Sequence, residues 1–250
     1  MAPNRGATVD TAEVERFAAI APEWWNEDGA FRPLHRLNPV RVEYIRDRLA
    51  GHFDRDIKTR APFAGLSLLD IGCGGGLICE PMTRLGFAAT GIDADATALS
   101  VARDHATAQG LGIDYRDDDA EYLAARGLGF DVVLALEVVE HTIDPALFIA
   151  TAASLVKPGG ALILSTINRT PEAYAAAIIG AEYVLRWLPR GTHEYRKFRR
   201  PSELARDVRG SGLTVCDITG LAYDLWKDCW RQANNLRINY LLFATSPKYK

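Results

Sequence analysis

Three groups of residues in this chain have the types and spacings that do chemistry. Glycines at 72, 74 and 76 follow Asp70 in a D-x-G-x-G-x-G array. An acid, Asp93, closes the apolar run Thr90-Gly91-Ile92. Glu137, Glu140 and His141 form an E-x-x-E-H set at the end of Leu134-Ala135-Leu136. Glycines let a backbone bend sharply and approach a ligand with no Cβ in the way. A carboxylate at a strand end accepts two hydrogen bonds from a cis-diol. Two carboxylates and an imidazole at i, i+3 and i+4 share one helical face. Such a set suits proton transfer or a hard divalent cation.

These residues need elements to position them. Leu68-Leu69-Asp70-Ile71 reads as a buried parallel strand that breaks into the glycine turn, with a helix following at about 76–85. Gly86 stops that helix, and a second strand is expected at 88–92. A helix over 95–109 ends at Gly110, and a third strand at about 112–115 precedes a helical segment at 120–126. Strand four spans 130–135, with a helix at about 145–156 after it. Pro158-Gly159-Gly160 turns into strand five, 161–166. After an insertion at 168–200, helix 201–211 leads to strand six, 213–218, and a tryptophan-rich loop precedes a last strand at 238–245. This alternation implies an α/β, Rossmann-like, seven-stranded and mostly parallel sheet with helices on both faces. Ahead of it, an amphipathic helix is expected over 11–27, a loop with Pro33 and Pro39 next, a second helix at about 40–50, and a polar linker over 52–65. The expected organisation is a single domain over 1–250, with 11–60 as an N-terminal helical cap.

The glycine spacing narrows the ligand. Dinucleotide sites usually show G-x-G-x-x-G. The D-x-G-x-G-x-G array resembles motif I of class I S-adenosylmethionine (SAM) methyltransferases. SAM has an amino acid end and no pyrophosphate, so Asp70 near the turn attracts the ammonium where it would repel a phosphate. Asp93 is placed to take the ribose hydroxyls, although helix N-capping is an alternative that Asp95 fills better. In Asp117-Asp118-Asp119-Ala120 one carboxylate can accept from an adenine amino group while Ala120 offers its N–H. Asp119 matches the methyltransferase pattern best, and capping of the next helix is the competing use.

Composition excludes several classes. Net charge is -3, so no broad basic face for nucleic acid is expected. The four cysteines show neither C-x-x-C nor zinc spacing and fit reduced thiols of a cytoplasmic protein. The polar start, Met1 to Asp10, carries no signal-peptide core, and no run approaches the length of a membrane span.

Longer signatures make a resemblance specific. Trp24-Trp25, Phe31-Arg32-Pro33-Leu34-His35, Asn38-Pro39-Val40-Arg41, Glu137 to His141, Leu155 to Gly160, Gly180-Ala181-Glu182-Tyr183, Gly191-Thr192-His193 and Ile218 to Leu221 run through nearly the whole chain. Together they resemble the ubiquinone-biosynthesis O-methyltransferases. The resemblance implies methylation of phenolic or catechol hydroxyls on polyprenylated precursors, at both O-methylation steps. It implies that Arg41 reaches the SAM carboxylate, that Gly72 and Asp93 touch the cofactor, and that Val138 lines its pocket. It further implies that Glu137, Glu140 and His141 form a divalent-metal site suited to Mg2+, and a place among the proteins of a ubiquinone-biosynthesis complex. Asp224-Leu225-Trp226 and Cys229-Trp230 depart from the pattern of bacterial relatives.

Attack of a phenolic oxygen on a sulfonium methyl needs positioning and removal of the phenol proton, with no leaving anion to stabilise. His141 is the favoured base; a metal on Glu137 and Glu140 is the alternative. Glu172 to Leu188 is largely apolar, and Arg186, Arg190, Arg196, Lys197, Arg199 and Arg200 follow or interrupt it. That combination suits docking of 170–200 on an anionic membrane surface at the inner membrane, or a lid on the core. Three other readings stay open at this stage: a methyltransferase for a soluble phenol or amine, an NAD(P) oxidoreductase, and a non-catalytic SAM-binding regulator.

Overall fold

The computed structural model describes residues 6–175, 194–224 and 229–248. The first strand, β1 (Ser67–Ile71), lies between β2 (Ala88–Ile92) and β4 (Phe130–Leu136), parallel to both. Beyond β2 lies β3 (Asp114–Arg116), and beyond β4 lies β5 (Val156–Ile167), again parallel. The far side is antiparallel: β8 (Asn239–Thr245) pairs β5, then come β6 (Thr214–Asp224) and β7 (Cys229–Ala233). The order is β3-β2-β1-β4-β5-β8-β6-β7. The chain leaves β1 toward β2 and later returns to β4 on its other side. The switch point therefore falls between the carboxyl ends of β1 and β4, where open α/β sheets bind ligands.

Alternation along the central strands splits the core. Leu69, Val133 and Leu162 face one apolar cluster with Phe148, Ile149 and Leu204. Leu68, Val132, Leu134 and Ile163 face the other with Tyr44, Ile45 and Leu49. Successive strand side chains point to opposite faces, so one run feeds both layers. The helices are α1 (Thr11–Ala18), α2 (Arg32–Phe53), α3 (Cys79–Arg84), α4 (Ala96–Ala108), α5 (Ala120–Ala125), α6 (Pro145–Ser154), the short α7 (Pro171–Ala173) and α8 (Pro201–Gly210). Acids begin several of them. Asp95 accepts from Thr97 N at α4, and Asp144 accepts from Ala146 N and Leu147 N at α6, satisfying amides that have no helical partner.

The fold class is the expected one, with four differences in detail. The sheet has eight strands rather than seven, because β6 runs on to Asp224 and folds back as β7 within the expected tryptophan-rich loop. The expected helix over 11–27 stops at Ala18, followed by a 3-10 turn over Ala21–Glu23, which leaves Trp24 and Trp25 outside it. The expected loop around Pro33 and Pro39 is helical: Pro33 sits in the first turn of α2, where its missing N–H costs nothing, and Pro39 lies inside the helix. Packing of Leu37, Val40, Tyr44, Ile45 and Leu49 holds that helix against the sheet despite the lost bond. Finally, Pro158-Gly159-Gly160 lies within β5 as an irregularity: Phe130 pairs Val156, whereas Val132 pairs Ala161. Gly180 to Tyr183, Gly191 to His193, the apolar stretch between them, Leu225 and Trp226 lie outside the described residues.

Candidate active site

At the end of β1 the chain bends over the end of β2. Gly72 N and Cys73 N both donate to Ile92 O, at 2.8 and 3.0 Å. Gly72 has φ 71°, and a Cβ there would stand 2.5 Å from Val138 Cγ2. Gly74 has φ 52°, and its Cβ would collide with the indole of Trp24. The glycines thus admit covering side chains as well as a ligand. Trp24 lies over the turn, stacked on Phe31 at 3.7 Å, and Trp25 Nε1 donates to Gly75 O at 2.9 Å. Asp93 holds the turn from β2: Oδ2 accepts from Gly74 N at 2.7 Å and Oδ1 from Asp95 N at 2.8 Å. A carboxylate at this strand end can also accept from a ribose hydroxyl. Asp70 is buried beneath the turn, where Cys79 Sγ donates to it at 3.4 Å. Burial pushes its carboxyl up to about 7, against the pull of the Cys79 hydrogen bond.

A cavity of about 820 Å³ opens beside this turn. Its polar end carries Arg41, Asp70, Gly72, Gly74, Asp93, Asp119, Ala120, Glu137, Val138, Glu140 and His141. Its apolar walls come from Val14, Phe17 and Ile20 near the N-terminus, Leu34 and Leu37 of α2, and Tyr223 and Trp230 of the β6–β7 hairpin. The structure therefore brings the sequence-derived candidates to one place, with one exception. Gly76 does not line the cavity; it faces the Tyr115 hydroxyl and supports the loop through its N–H to Cys73 O at 2.9 Å.

Several expected roles change. Glu137, expected as a catalytic and metal-binding acid, is committed to neighbours. Its Oε1 stands 2.8 Å from Arg41 Nη2, Ser165 Oγ donates at 2.6 Å, and Asn239 Nδ2 donates to both oxygens at 3.0 Å. Its backbone sits at φ 57°, a conformation that a non-glycine residue adopts only when its surroundings impose it. Burial opposes its charge, and Arg41, Asn239 and Ser165 overcome that and hold its pKa below the ordinary value. Glu137 thus serves as the buried counter-ion of Arg41. Arg41 is 3% exposed and lines the cavity, and among the described residues its Nε has no aligned hydrogen-bond acceptor. A buried donor of this kind calls for a partner.

Asp119 is the second change. Oδ1 accepts from Tyr122 N as the cap of α5, and Oδ2 accepts from Gly6 N, both at 2.7 Å. Each oxygen thus already accepts one hydrogen bond, one capping α5 and one anchoring the N-terminal segment, and Asp119 and the neighbouring Asp118 both line the cavity.

Glu140 is buried, with Thr166 Oγ1 donating to Oε2 at 2.8 Å while Oε1 has no partner. Burial and the adjacent Glu137 charge raise its pKa to about 7. His141 Nδ1 lies 3.3 Å from Glu13 Oε2, and Phe17 meets the imidazole edge-on at 5.4 Å. Burial alone would lower the imidazole pKa, but Glu13, Glu140 and Glu137 together raise it. In return the His141 contact holds Glu13 down to about 2 against the effect of burial.

The E-x-x-E-H set does not fit a divalent cation. Glu137 turns to Arg41, Ser165 and Asn239, Glu140 to Thr166, and His141 to Glu13. Among the described residues no three His, Cys, Asp or Glu side chains converge as metal ligands.

Sequence reasoning missed Glu13, Ser165, Thr166 and Asn239. The signal for Glu13 was available: it lies one turn before Phe17, an apolar anchor of the same buried face. The other three sit on β5 and β8 and gave no motif.

Comparisons with known proteins agree with this fold. The profile of a methyltransferase domain matches residues 41–218. The ubiquinone biosynthesis O-methyltransferase of Chelativorans sp. (strain BNC1) is 54% identical over 247 residues, 99% of this chain and 98% of its own length. That of Mesorhizobium japonicum (strain LMG 29417 / CECT 9101 / MAFF 303099) is 52% identical over 244 residues, 98% of each chain. Among solved structures, a magnesium protoporphyrin IX methyltransferase from Synechocystis PCC 6803 with bound SAH superposes with a TM-score of 0.65 at 18% identity, covering 94% of this chain and 98% of that one. A SAM-dependent methyltransferase from Clostridium acetobutylicum ATCC 824 gives 0.61 at 13% identity, covering 93% and 98%; at such identities these two speak for the fold alone. The length and level of the sequence matches, on a sheet that places a glycine turn, two acids and a buried arginine around one cavity, lead to one assignment: this chain belongs to the ubiquinone biosynthesis O-methyltransferase family, the SAM-dependent O-methyltransferases.

Proposed function

We propose that the chain methylates phenolic and catechol hydroxyls of polyprenylated ubiquinone precursors, at both O-methylation steps, with His141 as the base. The observation that carries this reading is the cavity itself, whose polar end holds Arg41, Asp93 and His141 and whose lining also includes the apolar side chains of Val14, Phe17, Ile20, Leu34, Leu37 and Trp230. S-adenosylmethionine fits the polar end. Arg41 has a buried donor, Nε, without an aligned acceptor, suited to a carboxylate. Asp70 is close enough to the turn to favour an ammonium, and the glycines keep the turn free of Cβ atoms. Asp93 would take the ribose, and Ala120 with Asp118 the adenine end. When bound, SAM supplies a methyl group activated by the sulfonium charge.

The chain's own residues do the rest. His141 removes the phenolic proton, and the Glu137 ion pair fixes Arg41. Trp24, Phe17 and Val138 keep water from the reacting oxygen. The apolar walls suit the first units of a prenyl chain better than a small soluble phenol. His141→Ala should lose roughly 10²–10⁴-fold in turnover while SAM binding by calorimetry is retained. Unchanged turnover would remove the base assignment.

The tail of such a substrate stays in a bilayer, so the proposal extends to contact of 170–200 with an anionic surface on the cytoplasmic side of the inner membrane, beside other ubiquinone-biosynthesis proteins. Supporting it, Tyr174 is 42% exposed and Arg196 and Arg200 are exposed. Among the described residues no helix is long and apolar enough to cross a membrane.

A further inference from the structure

We infer that Glu13, contributed by the N-terminal helix α1, is a positioning residue for His141 and that the site is complete only when α1 closes on it. The inference rests on the reading of His141 as the base. The methyltransferase profile matches residues 41–218, so α1 lies outside the matched span. Its placement over the cavity is specified in detail. Gly6 N donates to Asp119, Thr8 N and Oγ1 donate to Glu121 Oε1, Ile143 N donates to Thr8 O, and Val9 bridges Thr142 beside His141. This closure buries a glutamate, Glu13, to 6% exposure at the cavity wall.

A buried carboxylate is costly unless it is paired. Two cations and an imidazole face Glu13: Lys197 Nζ at 3.2 Å on Oε1, and Arg16 Nη1 at 3.4 Å and His141 Nδ1 at 3.3 Å on Oε2. Lys197 alone, which also reaches Asp10 at 3.3 Å, would tie α1 to the segment after β5. A purely structural clamp would not need the imidazole. Phe17, one turn along α1, packs edge-on against the same ring, so one helix supplies both the polar and the apolar constraint on its orientation. A carboxylate on Nδ1 favours the tautomer with the proton there and leaves Nε2 as the acceptor for a phenolic proton. The contact is not an aligned hydrogen bond in this state. Catalytic hydrogen bonds commonly tighten only in the loaded complex.

The test is a double-mutant cycle in the full chain with a prenylated catechol. Glu13→Gln should lower kcat about 10- to 100-fold, with KM for SAM within about twofold, and should cause no further loss in a His141→Ala background. Glu13→Asp should recover part of kcat. Lys197→Met, which weakens the clamp but leaves the Glu13–His141 contact, should lower the thermal midpoint and cost clearly less kcat than Glu13→Gln. Nitrogen-15 shifts of the His141 ring should show Nδ1–H in the wild type and a tautomer mixture in Glu13→Gln. Equal kcat losses in Glu13→Gln and Lys197→Met, or an undiminished Glu13→Gln effect without the imidazole, would overturn the inference in favour of a structural clamp. Wild-type kcat in Glu13→Gln, with His141→Ala inactive, would overturn it and leave the base assignment standing. Full turnover in His141→Ala would remove both.

Discussion

Arg41 and Glu137 show how a motif residue can be recognised while its task is misjudged. The glutamate of E-x-x-E-H reads as a catalytic or metal-binding acid, yet four contacts fix it as the partner of a guanidinium contributed by α2. Deleting one member of such a buried pair strands the other charge. Arg41→Lys keeps the charge and loses the fork, so the fold should survive while SAM affinity falls about tenfold, near 1.4 kcal/mol, by calorimetry. Unaltered affinity would place the carboxylate elsewhere. Glu140 makes a different prediction. Folded, it keeps its proton up to about pH 7, whereas the ordinary value is 4.5. Between those values the folded chain holds more protons than the unfolded one, so this residue makes stability fall as pH rises through the window. Asp70, also raised to about 7, contributes a slope of the same sign. Thermal midpoints of Glu140→Gln should therefore decline less than wild type across that range; equal slopes would show that the carboxyl titrates normally.

At the level of elements, the glycine turn and the N-terminal cover are one construction. Gly74 and Gly110 both lie in the left-handed region, at φ 52° and 66°. Alanine costs about 1–2 kcal/mol at either for the backbone alone. Gly110 has open space around its Cβ position, whereas Gly74 has the Trp24 ring. Gly74→Ala should therefore lose more thermal stability than Gly110→Ala, and only Gly74→Ala should weaken SAM binding. Equal losses with binding intact would mean that Trp24 yields freely. The βαβ succession was legible because β1, β2 and β4 are apolar runs ended by an acid or glycine. The 40–50 part of helix α2 was legible, but its start was not, because Pro33 and Pro39 look like loop residues until Leu37 and Val40 are seen packed against the sheet. Strand β7 was hidden because its pairing with β6 is tertiary: Tyr223 opposite Trp230 and Ala222 opposite Arg231 carry no signal before the hairpin closes. In the site, Asp70, the glycines and Asp93 were readable from local spacing. The Glu13–His141 contact and the double use of Asp119 were not, since each joins segments distant in sequence.

The whole molecule presents a SAM-type sheet whose cavity is walled by α1 and Trp24 from outside the sheet and by the β6–β7 hairpin at the sheet's far edge. Lys197 pairs with Asp10 and Glu13 at α1. On the membrane proposal, flotation should recover the protein with anionic vesicles and not with neutral ones, and deletion of 170–190 should abolish recovery. Identical flotation with and without the segment would sink that part. The central claim concerns the acceptor. Purified protein, SAM and a prenylated catechol should yield a SAM-dependent product heavier by one methylene unit, located on the phenolic oxygen by fragmentation mass spectrometry, and formed faster than from the same catechol without its prenyl chain. SAM binding with no methylated product, or a clear preference for the catechol lacking the chain, would contradict the account.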